Sequence, residues 1–204
     1  MTNDTYNAFN AFTRAGAAGE PLVFSFHGTG GNEHQFVPLV DQILPNAAIV
    51  SPRGDVSEYG ALRFFRRTGE GVYDMEDLAR RTARMSRFIA EHRKANPGRA
   101  VYGIGYSNGA NILASVLFGQ PGLFDRAVLM HPLIPWTPQD NAGLAGKRIL
   151  ITAGERDPIC PPEGTRALIN YFEAQGADLA TLFHPGGHEI RPQEIEAVAA
   201  FLTS

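Results

Sequence analysis

Hydrophobic and polar positions follow two regimes along the chain. Short runs that are apolar on both sides read as strands buried on both faces: Pro21–His27 (PLVFSFH), Ala47–Ser51 (AAIVS), Arg99–Gly105 (RAVYGIG), Arg126–Met130, Lys147–Ala153 (KRILITA) and Asp178–Phe183. Between them lie segments with apolar residues at three-to-four spacing. In Tyr73–Lys94, Met75, Leu78, Thr82, Met85 and Ile89 fall on one side, while Glu76, Arg80, Arg81 and Arg84 lie elsewhere. This predicts a helix that Asp74 caps and Asn96-Pro97-Gly98 stops. His34–Leu44, Asn108–Gly119, Pro162–Gln175 and Pro192–Leu202 read as further helices, and an edge strand is expected within Ala8–Arg14. Arg53–Gly71 shows neither period and reads as a loop.

Strands alternating with helices define the α/β class, with a mostly parallel sheet of about seven strands covered on both sides. The chain shows no internal repeat, low-complexity tract or linker, and 204 residues suit one domain over 1–204. At 44% hydrophobic and 19% charged residues, it is not an intrinsically disordered sequence. A net charge of −3 offers no excess of cations for phosphates, which argues against nucleic acid as a partner. The lone cysteine, Cys160, cannot form an intramolecular disulfide and reads as a buried small hydrophobe. No secretory signal is visible, and no apolar run approaches the ~18 residues of a membrane span, so a cytoplasmic protein is expected.

The strongest chemical signal is Gly105-Tyr106-Ser107-Asn108-Gly109, a G-x-S-x-G between a strand and a helix. On such a turn the serine hydroxyl projects from the carboxyl edge of the sheet, and the glycines allow strand and helix to approach closely. A serine needs a base and an orienting acid to act as nucleophile. Asp157 follows the strand KRILITA at that edge and is the expected acid; Glu155 is its close rival. Asp125, Asp140 and Asp178 precede strands or lie in connections. Of six histidines, His188 sits on a Gly186-Gly187 loop before the last helix and is the expected base. His184 reads as a packed strand-end residue, His34 and His92 as surface residues, and His131 as wrongly placed for a base. An oxyanion hole requires two preorganised N–H donors. Asn108 and, on the glycine-rich loop His27–Gly31, Thr29 are expected to supply them.

These motifs resemble the α/β-hydrolase superfamily, and within it the small bacterial phospholipase/carboxylesterase branch, similar to acyl-protein thioesterases and dienelactone hydrolases. The matching pieces are Phe26–Glu33, Gly105–Gly109, Gly154–Ile159 and Gly186–His188, which span most of the chain. The resemblance implies a three-layer sandwich, Ser107 as nucleophile, His188 as base, Asp157 as acid, and Thr29 and Asn108 as oxyanion donors. It also implies a homodimer. Where dienelactone hydrolases carry a cysteine nucleophile, this chain has Ser107. The loop that carries an aromatic-acidic segment in typical carboxylesterases holds Arg63-Phe64-Phe65-Arg66-Arg67 here. Either Phe64 and Phe65 line a substrate pocket, with the arginines attracting an anionic group, or the aromatics pack down and the arginines are solvated. Ile134 and Trp136, with Leu133, either form a pocket wall or belong to the ordinary core.

The stretch between His131 and Lys147 is too short for a large lid domain, which suits small soluble esters. The expected activity is carboxylic ester hydrolysis through an acyl-enzyme, with no cofactor and no metal. The alternatives are a thioesterase or lysophospholipase with the same triad, and a non-catalytic small-ligand binding protein, which should lack a triad member.

Overall fold

The computed structural model describes residues 3–69 and 71–204. In chain order the helices are α1 (Asn3–Tyr6), α2 (Val37–Ile43), α3 (Met75–Ala95), α4 (Asn108–Gly119), α5 (Pro162–Ala174) and α6 (Pro192–Thr203). The strands are β1 (Ala11–Arg14), β2 (Leu22–Phe26), β3 (Ala48–Pro52), β4 (Val56–Glu58), β5 (Ala61–Arg63), β6 (Arg67–Gly69), β7 (Val72–Tyr73), β8 (Val101–Tyr106), β9 (Arg126–Met130), β10 (Arg148–Gly154) and β11 (Asp178–His184).

Seven strands form one sheet in the order β1-β3-β2-β8-β9-β10-β11. The edge strand β1 runs antiparallel to β3, and the other pairings are parallel. Alternate residues of each central strand serve opposite faces. Phe24, Phe26, Val50, Leu129 and Ile151 pack with α3, α4 and α5, through residues such as Phe88, Leu113 and Phe172. Val23, Ile104, Val128 and Leu150 pack with α2 and α6, through Val40, Val198 and Leu202. This is the three-layer α/β-hydrolase arrangement, and it explains why the strand segments lack polar alternation.

Asp74 caps α3 as expected, accepting from the Asp77 N–H at 3.0 Å. His92 is not a surface residue. It is 2% exposed, stacks on Tyr6 and meets Phe24 and Phe88 edge-on. Its position continues the stripe of Met85, Phe88 and Ile89 by one more turn, so the helical period places it inward. Burial lowers its pKa.

The segment 53–71 is also more ordered than a loop. It contains the antiparallel pair β4–β5, and its end forms half of the pair β6–β7. Tyr59 and Gly60 both take positive φ (50° and 87°) at the tip of the first hairpin. Strands of two or three residues are too short to leave a readable period, which is why the sequence pattern misses them. No helix among the described residues is long and apolar enough to cross a membrane.

Candidate active site

The parallel strands end at one edge, and the loops that leave that edge gather the candidate residues. Ser107 follows β8 with φ 53° and ψ −118°, a backbone conformation that L-residues rarely take. The turn is held because a side chain is excluded on either side of it. A Cβ on Gly105 would lie 2.6 Å from the Gly109 carbonyl oxygen, and one on Gly109 would lie 2.1 Å from that of Phe26. The Ser107 N–H donates to the Met130 carbonyl at 2.8 Å, tying the turn to β9.

His188 arrives from the loop after β11. That loop is docked on the end of β10 by the N–H groups of Glu155, bonded to the His184 carbonyl, and Arg156, bonded to the Gly186 carbonyl. The Tyr106 hydroxyl donates to the His188 carbonyl at 2.6 Å. The His188 imidazole then spans serine and acid. Ser107 Oγ lies 2.9 Å from Nε2, and Nδ1 lies 2.7 Å from Asp157 Oδ2. A carboxylate accepts, so the Nδ1 proton is on the ring and Nε2 is free to take the serine proton.

Asp157 is buried, and its Oδ1 accepts the N–H groups of Ile159 and Cys160, both at 2.9 Å. Burial opposes its ionisation, but the Cys160 N–H and the imidazoles of His131 and His188 outweigh burial and lower its pKa. The rival Glu155 is exposed, and Asp125 is used elsewhere, accepting from the Val101 N–H at 2.8 Å.

Two backbone donors face this edge without protein partners among the described residues. Asn108 is the first residue of α4, where an N–H has no intrahelical acceptor. Thr29 lies between residues whose N–H groups are engaged: Gly28 bonds Gln35 Oε1 and Gly30 bonds the Leu62 carbonyl. Arg63 steadies that loop by donating to Thr29 Oγ1 at 3.1 Å. The Asn108 side chain accepts from the Phe64 N–H at 2.7 Å, while its buried Nδ2 has no protein partner.

A cleft of about 50 Å³ opens beside Ser107 and Asn108. Of the apolar wall residues the sequence offers, Leu133 lines it and the others do not. Phe64 and Phe65 are fully buried; Phe64 packs on Phe26 and His27, and Phe65 on Tyr73. Ile134 joins the same core, and Trp136 lines a separate groove with Met75, Leu78 and Phe118. Arg63, Arg67, Tyr73, Leu133 and Ile159 line the cleft instead. The two rings pack under the loop and leave the flanking arginines at the cleft, Arg63 buried and Arg67 part-exposed, with Glu58 accepting from both. Tyr73 is fixed by donating to the Leu133 carbonyl and accepting from Asn111 Nδ2, both at 2.8 Å. Cys160 is buried, its Sγ donates to the His131 carbonyl, and burial raises its pKa strongly, so it stays a thiol.

Sequence reasoning missed a buried cluster behind the acid. His131 Nδ1 lies 2.9 Å from Asp157 Oδ2, and its Nε2 lies 3.1 Å from Glu194 Oε2. Glu194 also accepts from Thr152 Oγ1, the Arg191 N–H and His184 Nε2. The only signal for Glu194 is its position three residues after Arg191 at the start of α6, where a glutamate normally caps from the surface. His131, His184 and Glu194 offer nitrogen and oxygen atoms within 4.8 Å of one another, a spacing a metal could use. The donor set does not fit one. His184 Nδ1 accepts the Gly186 N–H at 3.0 Å, which leaves the ring proton on Nε2, the atom a metal would need bare.

The comparisons with known proteins agree with this fold. Residues 64–191 match the dienelactone hydrolase family. A relative in Bacillus subtilis (strain 168), "putative hydrolase MhqD", is 41% identical over 178 residues, covering 86% of this chain and 88% of its own. A Bacillus cereus carboxylesterase structure superposes with a TM-score of 0.92 at 35% identity, covering 98% of this chain and 96% of its own. The protein Atu2452 of unknown function from Agrobacterium tumefaciens str. C58 superposes with a TM-score of 0.90 at 55% identity, over 100% of this chain and 98% of its own. The fold and the likeness together define an α/β-hydrolase. Within that class, the chain belongs to the dienelactone hydrolase family.

Proposed function

We propose that this hydrolase is a serine carboxylesterase that cleaves small esters through an acyl-enzyme on Ser107. One observation carries the reading: the unbroken hydrogen-bond line from Ser107 Oγ through His188 to Asp157, with spans of 2.9 and 2.7 Å, at a strained strand-to-helix turn. His188 Nε2 takes the serine proton as Oγ attacks the ester carbonyl. Asp157 holds the ring in the tautomer that leaves Nε2 open and stabilises the imidazolium that forms. The N–H groups of Thr29 and Asn108 receive the negative charge that develops on the carbonyl oxygen. His188 returns the proton to the leaving alcohol, then activates water to release the acid and restore Ser107.

The cleft supports a short substrate, and the part-exposed guanidinium of Arg67 at its wall favours an ester that also bears an acidic group. The test is turnover of matched acetyl esters with neutral and carboxylate-bearing leaving groups. Ser107→Ala should lose at least about 10³-fold in kcat on each, and near-wild-type turnover by that variant refutes the proposal.

A further inference from the structure

His131 is the best-held histidine of the molecule. It sits just past β9 with φ 50°, another positive-φ residue without the excuse of glycine. Its N–H donates to the Thr152 carbonyl at 2.8 Å, and its carbonyl accepts from Cys160 Sγ. Its side chain is 0% exposed, as are those of Asp157 and Glu194 on either side of it.

Proton accounting fixes its state. Asp157 and Glu194 are each surrounded by donors: Ile159, Cys160 and His188 on the first, Thr152, Arg191 and His184 on the second. A carboxylate so placed stays ionised, and only donors fit its remaining side. Both ring nitrogens of His131 therefore donate, and the ring is an imidazolium. Burial alone would strip that proton, but the bonds to Glu194 and Asp157 outweigh burial and raise the His131 pKa.

We propose that His131 is a positioning residue, a fixed cation between Asp157 and Glu194 that sets the pH range in which His188 serves as base. The inference rests on the serine-esterase reading above. Asp157 Oδ2 is shared by both imidazoles, whose ring centres are 5.2 Å apart. A permanent positive charge on that oxygen weakens the pull of Asp157 on the His188 proton. His188 is then unprotonated, and ready to accept from Ser107, at lower pH. The other titratable groups facing His131 are His184 from β11, Tyr106 from β8 and the Cys160 thiol after β10, and none carries a negative charge that would cancel the effect. Glu194 on α6 is the negative end of the pair; it touches the far ring nitrogen of His131.

The experiment is the pH profile of kcat/KM for 4-nitrophenyl acetate in wild type, His131→Asn and Glu194→Gln, with active sites counted by a fluorophosphonate. The acid limb should move to higher pH by about one unit in His131→Asn, the order set by a unit charge 5.2 Å away at a permittivity between protein and water. Activity relative to wild type is then lowest on the acid side and recovers toward alkaline pH. Glu194→Gln should shift the limb the same way, because His131 loses the carboxylate that retains its second proton. It also serves if His131→Asn fails to fold. Acid limbs that superimpose, or move to lower pH, overturn the proposal. Nitrogen-15 spectra of labelled histidine in the wild type give a readout independent of turnover: both His131 ring nitrogens should be protonated at pH 8, and a neutral ring there overturns it. A wild type that neither labels at Ser107 nor turns over ester marks failure of the esterase reading instead.

Discussion

His188 and His131 bond the same oxygen of Asp157 at 2.7 and 2.9 Å, yet the structure gives them opposite chemistry. His188 has a side chain 16% exposed, and its second nitrogen meets a hydroxyl. His131 is sealed, and its second nitrogen meets another carboxylate. A hydroxyl partner leaves a ring free to gain and lose a proton, whereas a second carboxylate holds the proton in place. The shared acid alone therefore does not make a histidine a base; the partner on the far nitrogen decides.

The sharpest way to break this comparison is to neutralise the shared acid. Asp157→Asn should lower kcat by about 10⁴-fold, because the amide no longer selects the His188 tautomer that leaves Nε2 bare. Steady-state hydrolysis of a short ester measures it. A smaller effect isolates the buried partner: Glu194→Ala removes the carboxylate that retains the second His131 proton, strands the buried donors around it, and should cost about 3–5 kcal/mol of stability, read by urea unfolding. An unfolding midpoint equal to wild type would mean that the buried pair is not ionised.

Smaller again is the effect at the cleft wall. Arg67 touches Glu58 and lines the cleft without touching the triad. Arg67→Gln should raise KM about tenfold for an ester with an acidic group, the worth of a charge-assisted hydrogen bond, and leave a neutral ester nearly unaffected.

The smallest effect is a pH trend in stability. The His131 pKa is raised on folding, so the stability it contributes is fully present below about 6.5 and is lost as pH rises through the raised value. The pKa values of Asp157 and Glu194 are lowered, so their contributions stand above about 4 and fade only as pH falls through the lowered values. The melting-temperature gap between wild type and His131→Asn should therefore be widest near pH 6 and narrow toward pH 10.

What the sequence reveals about each histidine differs for a physical reason. Ser107, Asp157 and His188 each follow a strand and lie within two residues of glycine or proline, so their place at the sheet edge can be read locally. His131 also follows a strand, but its role depends on Glu194, 63 residues away on a helix whose apolar period gives no hint of a buried carboxylate. Pairing across the fold leaves no local pattern. The cleft wall fails for a related reason. In Arg63-Phe64-Phe65-Arg66-Arg67 the hydrophobic rings go to the core while Arg63 and Arg67 line the cleft, and only the geometry of the short hairpins decides which way each faces. The central parallel strands were legible because each buries an apolar run, and α3 because it buries an apolar stripe.

The proposed nucleophile offers the most direct measurement. Wild-type protein treated with a fluorophosphonate should gain one adduct by intact mass, mapped by peptide sequencing to Ser107, with turnover lost in proportion to labelling. An adduct on another residue, or full turnover by protein already labelled at Ser107, would contradict the account.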